Sequence, residues 1–380
     1  MQDDNRKPAL AAADVDRLLA DPSPAVRADT ASKIAREFAG GSLSARERGV
    51  AEDIFRVLLR DVEVRVRETL ARTVKQCPTL PHDVAVALAR DVDRVALPIL
   101  AFSEALTDDD LVAIVREAGA EKQAAIAGRP SVSEPVSQAL IARGNEEALD
   151  LLLRNHGAAI SEAALTRLLD QFGDRERLHE PLAGRPALPI GIAERLVTFV
   201  SERLQDHILR HHPLRPALVS DLIVASRERA TVALLGGGPP DESVLALARQ
   251  LHAGGRLTPA IILRAICLGD IRFCEASFAV LADLPLINAQ TLIHDAGQLG
   301  LKGIYDKADL PAALFSAFRV AIDVVGEMDY DERDHDRERF RRRAIQRILT
   351  RYPHVEADDL DYLLAKLTEL GEMIPTAAAV

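Results

Sequence analysis

Few residues in this chain have types and spacings that could do chemistry, and a histidine pair comes first. His207 and His211 stand four apart on a predicted helix, a spacing that presents two imidazoles to one divalent cation. His212 follows, while Asp206, adjacent in sequence, points elsewhere on the helix. No His-Glu-x-x-His pattern accompanies them. The plainer reading is a helix C-terminus, where imidazoles near the negative end of the dipole precede Pro213. His207 and His211 therefore stand as weak metal candidates, and no cofactor is expected.

Other candidates weaken in the same way. Gly236-Gly237-Gly238 lacks the Lys-Ser/Thr of a phosphate loop and runs into Pro239-Pro240, so it reads as a hinge. Asp329, Asp331, Asp334 and Asp336 approach a calcium loop, but the Gly at its sharp turn and the closing Glu are missing. Arg27, Arg65 and Arg67 form a basic series best read as structural. No Gly-x-Ser-x-Gly, Cys–His pairing or distinctive carboxylate pair marks a hydrolase, so nothing in the sequence requires an enzyme. The segment after residue 336 is different. Phe340, Ala344, Ile345, Ile348 and Tyr352 fall on one helical face, and Arg337, Arg341, Arg342, Arg343, Arg347 and Arg351 cover much of the rest. Guanidinium groups in that density suit acidic groups or phosphates, so this helix is the candidate partner-binding element. The plainer reading is a helix that caps the open end of an array.

Composition limits the partners. The chain has 380 residues, 48% of them apolar, yet only 4% aromatic and none Trp. Leu- and Ala-rich filling suits close helix packing and argues against a large β domain. A net charge of −11 and the lack of stacking platforms argue against nucleic acid. Cys77, Cys267 and Cys274 are too scattered for a disulfide framework or a zinc knuckle. The opening residues lack the apolar segment of a signal peptide, and no run approaches a membrane span. A cytoplasmic location is expected.

The elements that must position any site are repeats. Ala127-Gly128-Arg129-Pro130 returns as Ala183-Gly184-Arg185-Pro186, with Asn155-His156-Gly157-Ala158 midway, 28 residues from each. A hydrophobic residue and a helix starter recur at Leu43-Ser44, Leu80-Pro81, Leu106-Thr107, Val132-Ser133, Ile160-Ser161 and Leu188-Pro189. Ser and Thr there cap exposed amides, and Pro is tolerated in a first turn. A period of this length is the mark of stacked helical hairpins, each too short to stand alone. The turn Asp21-Pro22-x-x-x-Val26-Arg27 has the HEAT form: Asp caps the second helix, Val enters the core and Arg reaches neighbouring acceptors. Asp61-Val62-Glu63-Val64-Arg65 reads as a contracted copy, and Asp91-Val92-Asp93-Arg94-Val95 as a degenerate one.

Asp21–Arg27 and the Ala-Gly-Arg-Pro and Asn-His-Gly-Ala turns, with Leu257-Thr258-Pro259, Leu263–Cys267, Gly269-Asp270, Leu301, Ile304-Tyr305, Ala308 and Leu310-Pro311, resemble a mainly alphaproteobacterial family of HEAT-like helical repeats known only as a domain of unknown function. The resemblance spans most of residues 14–325. It implies an all-α repeat fold and lends no catalytic residues.

The expected fold is all-α, a right-handed α-solenoid of HEAT-like hairpins. Residues 1–13 are expected to be disordered, 14–235 an array, 236–240 a hinge and 241–325 a second repeat block. A charged seam and amphipathic helices follow over 326–372, with a tail at 373–380. The expected function is a non-catalytic bacterial scaffold that binds a protein partner along its groove, in signalling or regulation. One rival is a regulatory protein that binds a nucleotide effector. A further rival, a HEAT-like enzyme acting on nucleic acid, sits poorly with the acidic charge.

Overall fold

The structure, a computed structural model, describes residues 20, 23–41, 43–212, 214–236, 238–295 and 299–326. These residues form 19 α-helices and two short 3-10 turns, with no strand among them. The chain divides into two compact units, Met1–Ala187 and Leu188–Val380. The division falls inside the span 14–235 that the sequence groups as one array.

The first unit contains α1 (Pro24–Ala39), α2 (Ala45–Leu58), α3 (Val64–Val74), α4 (His82–Ala89), α5 (Asp93–Phe102) and α6 (Asp108–Glu117). It continues with α7 (Ala120–Ala127), α8 (Glu134–Arg143), α9 (Glu146–Arg154), α10 (Glu162–Phe172) and α11 (His179–Ala183). Most are two to three turns long, so each depends on neighbours to bury its stripe. The packing follows one rule. The odd-numbered helices stack in series, α1 on α3, α3 on α5, α5 on α7, α7 on α9 and α9 on α11. Among the even-numbered ones, α6 packs on α8 and α8 on α10. The side chains between them are the periodic aliphatics, including Leu70, Ile99, Leu100, Ile126, Leu140 and Leu153, all buried.

Helix entries are capped at some of the expected positions. Ser44 with Glu47, and Thr107 with Asp110, form reciprocal capping boxes. Ser133 and Ser161 hold cap geometry, but their hydroxyls make no cap hydrogen bond. There the backbone sets the chain's direction instead. Val132 and Ala158 form a parallel bridge, with the Ala159 amide donating to the Val132 carbonyl at 2.8 Å. A side chain on Gly157 would stand 2.0 Å from the Pro130 carbonyl oxygen, which explains why the middle phrase carries glycine where its neighbours carry arginine.

The second unit contains α12 (Ile190–His211), α13 (Pro216–Leu235), α14 (Asp241–Ala253) and α15 (Pro259–Cys267). It closes with α16 (Ile271–Leu281), α17 (Leu286–Ile293), α18 (Leu299–Lys307) and α19 (Phe315–Gly326). Here α12 packs on α13 and α14, α14 on α16, α13 on α15, and α15 on α16 and α19. The core gathers five aromatics, Phe273, Phe278, Tyr305, Phe315 and Phe318. Tyr305 lies edge-on to Phe315 and Phe318 at 5.1 and 5.5 Å, and its hydroxyl donates to the Pro311 carbonyl at 2.7 Å. That bond ties Ile304-Tyr305 to Leu310-Pro311, two phrases of the block after residue 240. No single helix among the described residues is long and apolar enough to cross a membrane.

Candidate interaction groove

The exposed side of the odd-numbered stack carries an open groove of about 630 Å³ across α3, α5 and α7. Its cations are Arg72, Lys75 and Arg94, and its apolar floor includes Leu97, Pro98 and Phe102. The local sequence explains why this floor is bare. Val95, Ala96, Ile99 and Leu100 bury one side of α5, yet Leu97, Pro98, Ala101 and Phe102 make the other side apolar too. A helix apolar all round leaves one face seeking a partner. Phe102 stays 40% exposed, with the Lys75 ammonium 4.4 Å above its ring. Pro98 also lacks the amide that would donate to the Arg94 carbonyl, so the groove wall contains a backbone acceptor without its helical donor.

One buried carboxylate arranges the cations. Glu68, on α3, binds Arg72 at 2.8 Å through one oxygen and Arg94 at 3.4 Å through the other. It joins adjacent helices and holds both guanidinium groups at the groove, where they remain largely exposed. Glu121 is the acid in the lining, against three bases, so the groove favours a ligand with acidic and apolar groups.

The helices beneath are registered by polar side chains that join one repeat to the next. Arg27 grips Asp61 through two bonds of 2.7 and 3.0 Å, and Arg67 grips Asp91 at 2.6 and 2.9 Å. The second copy of the turn is therefore full length, Asp61 to Arg67, and not the contracted Asp61–Arg65 read from the sequence. The Arg27 guanidinium holds Asp61 below the usual carboxylate range. Burial pushes Asp91 upward, but Arg67, the Val92 amide and Lys122 outweigh it and leave Asp91 lowered.

The recurring phrases perform a related task. Arg129 donates to the carbonyls of Leu100 and Ser103 at 2.6 and 2.8 Å, closing the end of α5. Asn155 donates to Ala127 and Arg129 carbonyls at 2.9 and 2.7 Å, closing α7. Arg185 reaches Leu153, Asn155 and Ala158 carbonyls at 2.9 to 3.3 Å, closing α9. Burial lowers the pKa of both arginines, and neither side chain is displayed to a ligand. Arg129 and Asn155 thus fix the ends of two groove helices, and none of the three residues is in the groove's lining.

The remaining candidates disperse. His207 and His211 stack ring on ring, with centroids 4.3 Å apart on the exposed end of α12. Among the described residues no group of three or more His, Cys, Asp or Glu gathers to hold a metal. Cys77, Cys267 and Cys274 are free and buried, and burial pushes the Cys267 thiol up to about 12, which disfavours the nucleophilic thiolate. Gly238 takes a left-handed φ of 65° just before α14. Gly237, the acids at 329–336, and Arg337, Arg341, Arg342, Arg343, Arg347 and Arg351 lie outside the described residues.

The sequence reading missed three buried acids of the second unit. Glu194 is fully buried between Arg256, Gln250 and Thr198; Glu228 accepts from Thr258 at 2.8 Å and faces Arg264; Glu275 holds Gln290 and His294 at 2.9 and 2.7 Å. Each joins two elements, and a lone Glu in a helical pattern looks like any solvated one. A second cavity of about 600 Å³ between α1 and α2 is lined chiefly by Ala31, Ile34, Val50, Ile54, Val57 and Leu58, with the Arg27–Asp61 pair at its rim. That pair already satisfies itself, so no ligand chemistry follows from it.

No curated protein and no solved structure matches the chain. A family model does, over residues 95–356, which takes in most of α5, all of α7 and all of the second unit's described helices. The chain belongs to the DUF2336 family, described as an uncharacterised protein conserved in bacteria.

Proposed function

We propose that this protein is a non-catalytic cytoplasmic scaffold, a right-handed α-solenoid of HEAT-like hairpins that binds a protein partner in signalling or regulation. The serial stacking of odd-numbered helices supports the solenoid reading, as do the Asp–Arg pairs at successive turns. The observation that carries the functional reading is the groove over α3, α5 and α7. There an exposed aromatic lies under a lysine, in a groove also lined by two arginines held by one buried glutamate. Such a surface takes an acidic, partly apolar segment, with Phe102 as the anchor and the cations as the rim. The Arg337–Arg351 segment enters the proposal as a second contact with the same preference for acids.

The test is affinity capture from the native host with the full chain, comparing wild type with a variant carrying Arg72→Gln, Lys75→Glu and Arg94→Gln, in which the two amides can still donate to Glu68. The reading expects the variant to melt within a few degrees of wild type and to lose its specific partners. Equal capture by both would overturn it. A nucleotide effector is the rival that this groove also admits, since an aromatic ring and three cations could hold a base and phosphates. Titration with a nucleotide panel separates the two: binding that the triple variant abolishes would move the reading to the rival.

A further inference from the structure

The helical hairpin α12–α13 is built differently from the rest of the second unit. With 22 and 20 residues, these two are the longest helices described, about 33 and 30 Å at 1.5 Å per residue. Only the first third of α12 is used as core: its buried residues are Gly191, Ile192, Glu194 and Leu196, and none follows. The remaining four turns, the connection at Leu214 and the first half of α13 carry Val200, Leu204, Leu209, Leu214, Leu218, Leu222 and Val224, all exposed. They are seven of the 15 large apolar side chains exposed among the described residues, gathered in 25 consecutive positions. Scattered single apolar residues need no explanation, but a contiguous set does.

The spacing indicates what covers them. Val200, Leu204, His207 and His211 recur at intervals of four, three and four, the seam spacing of one helix packed along another. The stacked imidazoles of His207 and His211 extend the apolar stripe to the helix end. Leu218 and Leu222 set a parallel row on α13. The rim is mixed in sign: Glu202, Asp206 and Asp221 against Arg203, Arg210 and Arg215, all exposed. That balance is unusual in a chain of net charge −11. A basic partner or an anionic membrane would call for a rim of one sign, whereas a balanced rim complements itself.

We infer that the distal α12–α13 hairpin is a self-association surface, covered by the same hairpin of a second copy to make a four-helix bundle. A two-fold contact buries both apolar rows and lets acids on one copy meet bases on the other. The resulting dimer presents two copies of whatever the first unit binds, so a bivalent partner gains avidity without any new contact.

The test is light scattering and sedimentation velocity on the full chain over a hundredfold concentration range. The expected species is twice the chain mass of 41.3 kDa. Leu204→Glu and Leu218→Glu, each on an exposed position, are expected to weaken the dimer by at least about 30-fold, the loss typical of a central interface residue. Circular dichroism and melting should stay close to wild type. Ile287→Glu, at an apolar residue exposed on α17, should leave the dimer intact. A chain that is monomeric throughout overturns the inference, as does a dimer indifferent to Leu204 and Leu218 or equally broken by Ile287→Glu. A monomer that instead sediments with anionic vesicles through Leu204 also overturns it, in favour of a membrane surface.

Discussion

At the scale of single residues, the first unit depends on a few polar side chains that reach from one repeat to the previous one. Arg129 is the most exacting, buried and donating to two carbonyls at the end of α5. Arg129→Ala strands both acceptors, at a cost of about 3 kcal/mol. A thermal melt should fall by several degrees, and Arg129→Lys should recover little, because one ammonium cannot span two divergent acceptors. The Asp61 and Asp91 carboxylates supply a pH dependence of defined sign. Both are lowered in the folded state, so their contribution is complete above the ordinary aspartate value of about 3.9 and is lost as pH falls through the lower folded values. Urea unfolding should therefore separate wild type from Asp91→Asn at pH 7, and the gap should narrow as pH falls below about 3.9. A difference that persists at low pH would show that Asn disturbs packing rather than charge.

At the scale of elements, two features make separate predictions. Phe102 is 40% exposed at the groove and only partly packed, so Phe102→Leu, which keeps an apolar side chain there, should cost no more than about 1.5 kcal/mol while reducing partner capture. Gly157 is the opposite case. Gly157→Ala places a methyl against the Pro130 carbonyl, which is backbone and cannot rotate away. A destabilisation of about 3 kcal/mol is expected, with faster amide exchange in α7, α8 and α9 and unchanged protection in α15 and α16. The repeat phrases made these helices legible in the sequence, since Gly and Pro at fixed intervals mark turns whatever their side chains touch. The partners of Arg129, Asn155 and Arg185 were not legible. An arginine in a turn looks the same whether it meets solvent or the carbonyls of the previous repeat. The length of Asp61–Arg67 was misread for a related reason: Arg65 and Arg67 are both basic, and only the distance to Asp91 chooses between them.

At the scale of the whole molecule, the helical class was legible because Leu and Ala are abundant and Trp is absent, and the pattern recurs at helical spacing throughout. The candidate groove was not, although α5 carried its signal: a ten-residue helix with apolar residues on every side. Core and binding surface draw on the same residue types, and only the packing of α3 and α7 on α5 shows which side stays open. The division at Ala187–Leu188 was equally hidden. The Pro-Ala-Leu-Pro sequence across it looks weaker as a breaker than the triple glycine that follows α13.

The central claim is that a protein partner sits on α3, α5 and α7. Hydrogen exchange of the full chain, alone and with its captured partner, tests this most directly. The expected result is slower exchange in the segments bearing Arg72, Lys75, Phe102 and Glu121, with little change in α6, α8 and α10 on the even-numbered side. Protection confined to α6, α8 and α10, or found only in the second unit, would contradict it.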